Sequence, residues 1–371
     1  SSCNVKREME SRICFFNSAK AWGGGEKWHM EAALSMHRGG HEVMIVARGK
    51  SPLCERAAAE GIPLVRLQVG NASFLNPFAV ARVRRLFRRR RVRTVVMNLP
   101  ADLKLAGIAA KLAGVERIIY RRGSAIPVNP SALNRFLFGR VITEIIANSE
   151  ETKRTVLMRD AGLFDARNIR VLYNGIDLDE YENRAFRPLY ERRGNEVVIG
   201  NAGRLVFQKG QDILLDAAAV LNANGVNFML LIAGDGALRR KLERRAVDLG
   251  VAHRVAFLGF AENIKSFMES IDIFALPSRW EGFGYVLAEA MASRKPIVAF
   301  NTSSNPELVA DGETGLLTEP NAGALAAGLM RLASDRTLSA RMGERGRERV
   351  ARYFSLAECS REVERFLLGR G

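Results

Sequence analysis

The chain is poor in the residues that build metal, redox or membrane-spanning sites. Of its 371 residues only four are cysteines and four are histidines. Cys3, Cys14, Cys54 and Cys359 are scattered without metal-ligand or redox spacing, and read as reduced thiols that mostly fill the core. His29, His37, His41 and His253 fall in no site motif and are expected to be ordinary surface or core residues. No Asp-x-Asp that would hold a divalent metal is apparent. No run of eighteen apolar residues occurs, so no segment reads as a transmembrane helix. Nor is there a repeat of solenoid period. The opening from Ser1 to Ser11 is polar and charged, without a signal-peptide pattern, and Met9 is a candidate start. These absences point to a cytoplasmic protein without a metal or cofactor of its own.

What is present is a large, ordinary globular composition, 47% hydrophobic and 26% charged, at a length that suits two domains. Short apolar runs alternate with helical segments. Ile13–Asn17, Glu42–Ala47, Leu64–Val69, Thr94–Asn98, Arg117–Tyr120 and Glu144–Ala147 read as one series of strands. Val197–Ala202, Phe228–Ala233, Val255–Leu258, Ile271–Ala275 and Pro296–Phe300 read as a second. Strands of four to six residues separated by helices call for parallel sheets with right-handed crossovers. The predicted layout is a basic first domain over 1–183, a polar link over 184–196, a second domain over 197–354, and a C-terminal helix over 355–371 packing back toward the first domain.

Charge is unevenly spread. Residues 1–175 hold 30 Lys and Arg against 14 Asp and Glu, whereas the remainder holds 26 of each, so the whole net charge of +16 lies in the first half. It is densest from Arg82 to Arg93, where Val83, Leu86 and Phe87 are set among arginines. Such a segment suits an anionic membrane surface, and the competing reading is a solvated basic helix face with a few core contacts. No set of stacking aromatics accompanies the arginines, so nucleic acid is not expected as a partner.

The most informative stretch is Ser278-Arg279-Trp280-Glu281-Gly282-Phe283-Gly284-Tyr285-Val286-Leu287-Ala288-Glu289. It sets two carboxylates eight positions apart around a Gly-x-Gly turn that opens an apolar helix. If helical, that step spans about 12 Å. Backbone N–H groups of Gly284, Tyr285 and Val286 would be free for phosphate oxygens. Upstream, Gly203-Arg204 ends a strand and Lys209-Gly210 precedes another helix. Arg204 and Lys209 would neutralise a diphosphate, and the carboxylates would accept pairs of sugar hydroxyls.

These residues resemble the retaining glycosyltransferases of the GT-B fold, most closely family 4, with its Glu-x7-Glu pair and upstream Arg and Lys. The resemblance runs from Trp22-Gly23-Gly24-Gly25-Glu26 through Ala147-Asn148-Ser149-Glu150, Tyr173-Asn174-Gly175 and Ala233-Gly234-Asp235-Gly236 to Gly312-Glu313-Thr314-Gly315. It implies two Rossmann-like α/β domains facing across a cleft. It also implies sugar transfer from a nucleotide-diphosphate sugar, with retention and without a metal. Glu281, Arg204 and Lys209 would be the catalytic groups. Glu281 would hold the transferred sugar and Glu289 the ribose. Leu258, Gly259 and Phe260 would flank the base, while Gly24, Gly25, Gly282, Phe283, Gly284, Tyr285 and Val286 would line the donor.

Asn98 and Arg122 stand where many members carry histidines, which puts a histidine-based role in doubt. With Arg121 they are the acceptor-side candidates. Electrostatics and orientation would supply most of the catalysis, with the leaving phosphate helping to deprotonate the acceptor. A saccharide or lipid-linked acceptor from lipopolysaccharide or surface-polysaccharide synthesis fits the basic domain, working at the inner face of the cytoplasmic membrane. The alternatives are a nucleotide-sugar epimerase on a similar scaffold and a non-enzymatic binder of nucleic acid or anionic surfaces.

Overall fold

The structure is a computed structural model that describes residues 12–369; Cys3 and the candidate start Met9 lie outside the described residues. Two parallel sheets organise it. The first joins β1 (Ile13–Asn17), β2 (Val43–Ala47), β3 (Leu64–Arg66), β4 (Thr94–Met97), β5 (Arg117–Arg122), β6 (Glu144–Ala147) and β7 (Ile169–Val171), in the order β3-β2-β1-β4-β5-β6-β7. The second joins β8 (Val197–Ala202), β9 (Phe228–Ala233), β10 (Val255–Gly259), β11 (Ile273–Leu276), β12 (Ile297–Phe300) and β13 (Gly315–Thr318), in the order β10-β9-β8-β11-β12-β13. Neighbouring strands pair in parallel, for example Phe15 with Ile45 and Val96 across β1, β2 and β4. The central strands are apolar on both faces because helices cover both, as in the fully buried Ile13–Asn17 and Ile297–Phe300.

The sequence reading omits β7 and β13. Ile169-Arg170-Val171 is only three residues with an arginine at its centre, and β13 starts on Gly315. Both are outermost strands, whose shortness leaves little periodicity to read. The basic segment forms the helix α2 (Pro77–Arg89), which follows α1 (Gly24–Arg38). Val83 and Phe87 are buried in the core and Leu86 packs against it, so these residues hold α2 to its sheet rather than facing outward. The exposed apolar residues are instead Leu75, just before α2, and Phe78 in its first turn, 71% and 83% exposed. Arg82, Arg85 and Arg88–Arg91 are exposed as well.

Contacts divide the chain into two units, one running to Asn174 and resumed from Cys359, the other from Gly175 to Glu358. The division therefore falls earlier than residue 183. Gly175–Asn183 packs on the second unit, where Ile176 exchanges backbone hydrogen bonds with Phe354 and Leu356, and the Tyr181 hydroxyl lies 2.8 Å from Ser293 Oγ. The polar stretch after it is also tied to that unit, through Arg187 N to Ser266 Oγ and Leu189 N to Ser270 Oγ. The residues from Cys359 belong to the first unit. There Val363 and Leu367 are buried in the core, and Arg117 donates to the carbonyls of Phe366 and Leu367.

Candidate active site

In each sheet the strand order reverses once, between β1 and β4 and between β8 and β11, and open α/β sheets bind ligands beyond the carboxyl ends of the strands at such points. At the second sheet the loops leaving β8 and β11 meet. β8 runs into a single turn, Phe207–Lys209, and Gly210 then starts α3 (Gln211–Ala223) in the left-handed region at φ 67°. A Cβ on Gly210 would lie 2.0 Å from the Pro277 carbonyl oxygen, so only glycine lets these loops approach.

That approach brings Lys209 Nζ to 2.5 Å from Glu281 Oε1, with the lysine side chain 15% and the carboxylate 7% exposed. The Glu281 backbone is fixed too: its N–H donates to Ser303 Oγ, and its carbonyl accepts from the hydroxyls of Ser303 and Ser304. A cation and a carboxylate held together at low exposure, beside the open start of a helix, suit an anionic group carrying hydroxyls.

Arg204 follows the end of β8. Its carbonyl is held by Gln211 Nε2 at 3.2 Å while its side chain is exposed. Glu281 to Gly284 is a loop, and α4 (Tyr285–Ala292) starts only after Gly284, which caps it at φ 77°. The step from Glu281 to Glu289 is therefore not a continuous helical rise. Glu289 alone of the two lies on α4, half-buried, and its charge is among those felt by Tyr181. Phe283 is buried against Phe354, with ring centroids 5.7 Å apart, whereas Gly282 is buried and Tyr285 and Val286 are partly exposed at the helix start. At the end of β10, Gly259 accepts from Gly234 N–H at 2.6 Å, Leu258 is partly buried and Phe260 is 79% exposed.

At the first sheet's reversal the Gly-rich turn starts α1. A Cβ on Gly25 would meet Asn98 Nδ2 at 2.5 Å, so the amide at the end of β4 packs onto the glycine backbone; Gly24 opens the helix. Asn17 and Asn98 both donate to Glu26 Oε1. Arg121 donates to Asn98 and Asn174 and lies over the Trp28 ring at 4.8 Å, and it is 1% exposed. Its guanidinium is thus taken up inside the unit, and of the adjacent pair only Arg122 is partly exposed, donating to the Ile126 carbonyl. His29 is buried against Phe15 and Trp28; burial, then the Arg121 charge, holds its pKa well below the ordinary value.

Beside this network Asp102 accepts from Ser18 N–H and Oγ and from Leu99 N–H. Burial pushes its pKa up to about 7 against the pull of those bonds. Nothing in the sequence singled Asp102 out, since a lone aspartate in an apolar helix start carries no motif.

One literal Asp-x-Asp does exist, Asp177-Leu178-Asp179. Asp177 is spent as a helix cap, accepting from Glu180 N–H at 2.9 Å. Among the described residues no group of three or more His, Cys, Asp or Glu is placed to hold a metal ion. Cys14, Cys54 and Cys359 are buried thiols. Among the described residues no helix is long and apolar enough to cross a membrane.

Comparison with known proteins defines the family and the fold. The family described as glycosyltransferase family 4 matches residues 22–180, and that of glycosyl transferases group 1 matches 183–349. A GDP-mannose-dependent α-(1-6)-phosphatidylinositol monomannoside mannosyltransferase of Mycolicibacterium smegmatis is 30% identical over 348 residues, 87% of this chain and 89% of that enzyme. The lipopolysaccharide core biosynthesis glycosyltransferase LpsE of Rhizobium meliloti is 35% identical over 159 residues, 43% of this chain and 46% of that one. Among solved structures, Anabaena Alr3699/HepE in complex with UDP superposes with a TM-score of 0.82 at 23% identity, covering 96% of this chain and 100% of that one. The two Rossmann-like parallel sheets are those of the GT-B fold. The chain belongs to the family 4 type of GT-B glycosyltransferases.

Proposed function

We propose that this glycosyltransferase moves a sugar from a nucleotide-diphosphate sugar to a lipid-linked saccharide, with retention at the anomeric carbon and without a divalent metal. The observation that carries the reading is the Lys209–Glu281 pair at the reversal point of the second sheet. Lys209 and the exposed Arg204 supply positive charge for a leaving diphosphate. Glu281 accepts hydroxyls of the transferred sugar and favours positive charge near its anomeric carbon, and Glu289 accepts from the ribose. The exposed Phe260 beside Leu258 and Gly259 gives the base a flat apolar neighbour.

The relatives support the class of acceptor. One is a phosphatidylinositol mannoside mannosyltransferase, another acts in lipopolysaccharide core synthesis, and a third, from Staphylococcus aureus, in capsular polysaccharide biosynthesis. Their names leave GDP and UDP sugars as the first donors to try, because one relative depends on GDP-mannose and a structural neighbour is in complex with UDP-glucose. A lipid-linked acceptor brings the enzyme to an anionic membrane face in the cytoplasm, which α2 and its exposed arginines would meet.

The test is a panel of nucleotide sugars scored by nucleotide release, with and without EDTA. One donor should stand out, and its turnover should survive the chelator. Release from none of them would overturn the donor assignment, and complete, metal-rescuable loss in EDTA would overturn the metal-free chemistry. The anomeric configuration of the product, read by NMR, decides retention.

A further inference from the structure

The two loops that carry Lys209 and Glu281 are joined residue by residue. Arg279 donates to the Phe207 carbonyl at 2.6 Å, Gln208 Nε2 donates to the Trp280 carbonyl at 2.9 Å, and Lys209 pairs with Glu281. Each pair is separated by the same 72 positions, so a slip of either loop would break every step together. The Arg279 N–H adds a bond to the Gln208 carbonyl at 2.8 Å.

What holds this ladder at its outer end is a single guanidinium. Arg279 forks onto Asp212 in the first turn of α3, with Nη1 to Oδ1 at 3.0 Å and Nη2 to Oδ2 at 2.7 Å. Its plane also covers the Phe207 ring at 3.9 Å. A bidentate, stacked arginine fixes both distance and orientation, which a lysine could not do. Burial pushes the Asp212 carboxyl up, yet the hydrogen bonds and charge of Arg279 outweigh it and hold the pKa below the usual range.

We infer that Asp212 and Arg279 form a positioning pair that locks the two loops in register and so sets Lys209 against Glu281. Neither residue needs to touch substrate. Their effect on turnover rests on the reading of Lys209 and Glu281 as donor-site groups, but their effect on the placement of Lys209 does not.

Lysine acylation followed by mass spectrometry tests the placement directly in the full-length protein. In the wild type Lys209 should label slowly relative to the exposed Lys20 and Lys50. Arg279→Met and Asp212→Asn should each raise Lys209 labelling about tenfold, with Lys20 and Lys50 unchanged and with melting behaviour close to wild type. Arg279→Lys keeps the charge without the fork and should fall between. Unchanged Lys209 labelling in folded Arg279→Met and Asp212→Asn would overturn the inference.

Turnover is the second arm. With a donor that supports activity, both variants should lose kcat about tenfold or more while KM for the donor changes less, the signature of misplaced rather than missing groups. Loosened labelling without an active donor would leave the positioning pair standing and strike only the proposed function.

Discussion

Glu281 and Lys209 satisfy one another at 2.5 Å, from loops that leave two different strands of one sheet. Neither charge is left alone at low exposure, where an unpaired ion is costly. The pair is therefore pre-formed, and the proposed donor, with its phosphate and hydroxyl groups, would exchange into it instead of assembling it.

Single substitutions of this pair should be severe and non-additive. Glu281→Ala and Lys209→Ala should each lower kcat/KM by about a hundredfold or more, roughly 3 kcal/mol. The double variant should be little worse than either single one, because each single change already leaves its partner without its mate. Arg204→Ala, whose side chain is exposed, should lower turnover independently, and Glu289→Ala should mainly weaken nucleotide binding. Steady-state kinetics with nucleotide titrations measure all of these, and simple additivity across the pair would contradict the coupling.

The contact between Gly210 and Pro277 makes a stability prediction. Gly210→Ala adds both left-handed strain and an overlap with a carbonyl oxygen, and should cost more than about 2 kcal/mol. Gly225→Ala, at φ 69° with open space around it, should cost only about 1 kcal/mol. Urea unfolding of the two variants compares them, and equal losses would refute the steric account.

Asp102 should leave a mark on the pH dependence of folding. Its pKa is about 7 in the folded chain against an ordinary value of 3.8. Between those values the folded state binds the extra proton, so the group stabilises at low pH and that contribution is lost as pH rises through 7. Asp102→Asn removes the titration. The stability of the wild type relative to this variant should fall by roughly 2–4 kcal/mol from pH 4 to pH 8. Parallel stability curves for the two proteins would sink this assignment.

Membrane docking through α2 makes a prediction that depends on which apolar residues face out. Flotation with anionic vesicles at low salt should retain the protein, neutral vesicles should not, and added salt should release it, given a Debye length of about 8 Å at physiological ionic strength. Replacing Arg88–Arg91 with Gln, or Phe78 with Ser, should reduce retention without loss of fold. Val83→Ser should instead destabilise the protein, because Val83 is in the core. Equal retention by neutral and anionic vesicles would argue against electrostatic docking.

Most of the architecture was legible because a buried parallel strand is a compact apolar word bounded by polar residues or glycine. Ile13–Asn17, Glu144–Ala147, Val197–Ala202 and Phe228–Ala233 are found where the sequence reading puts them. Short β7 and β13 were not legible, since three or four residues with one charge or one glycine have no period. The same limit applies to direction. The apolar residues among the α2 arginines were visible, but which side each one faces depends on the sheet beneath, and Val83 and Phe87 turned inward. Among the candidate site residues, Lys209 and Glu281 stand out in the sequence through their glycine turns. Arg279 and Asp212 did not, because a salt bridge across 67 positions leaves no local pattern.

The return of the chain to the first unit has a consequence for how the protein is made. Ile13, Val43 and Leu53 share a hydrophobic cluster with Val363 and Leu367, while Phe366 lies under the Arg117 guanidinium. A ribosome delivers Ile13, Val43 and Leu53 more than three hundred residues before Val363, and Arg117 249 positions before Phe366. During synthesis the first sheet must wait with part of its apolar surface uncovered, while the second can complete its own core and emerge folded. A chain truncated before Cys359 and released should thus hold a finished second unit while its first unit stays exposed and chaperone-accessible.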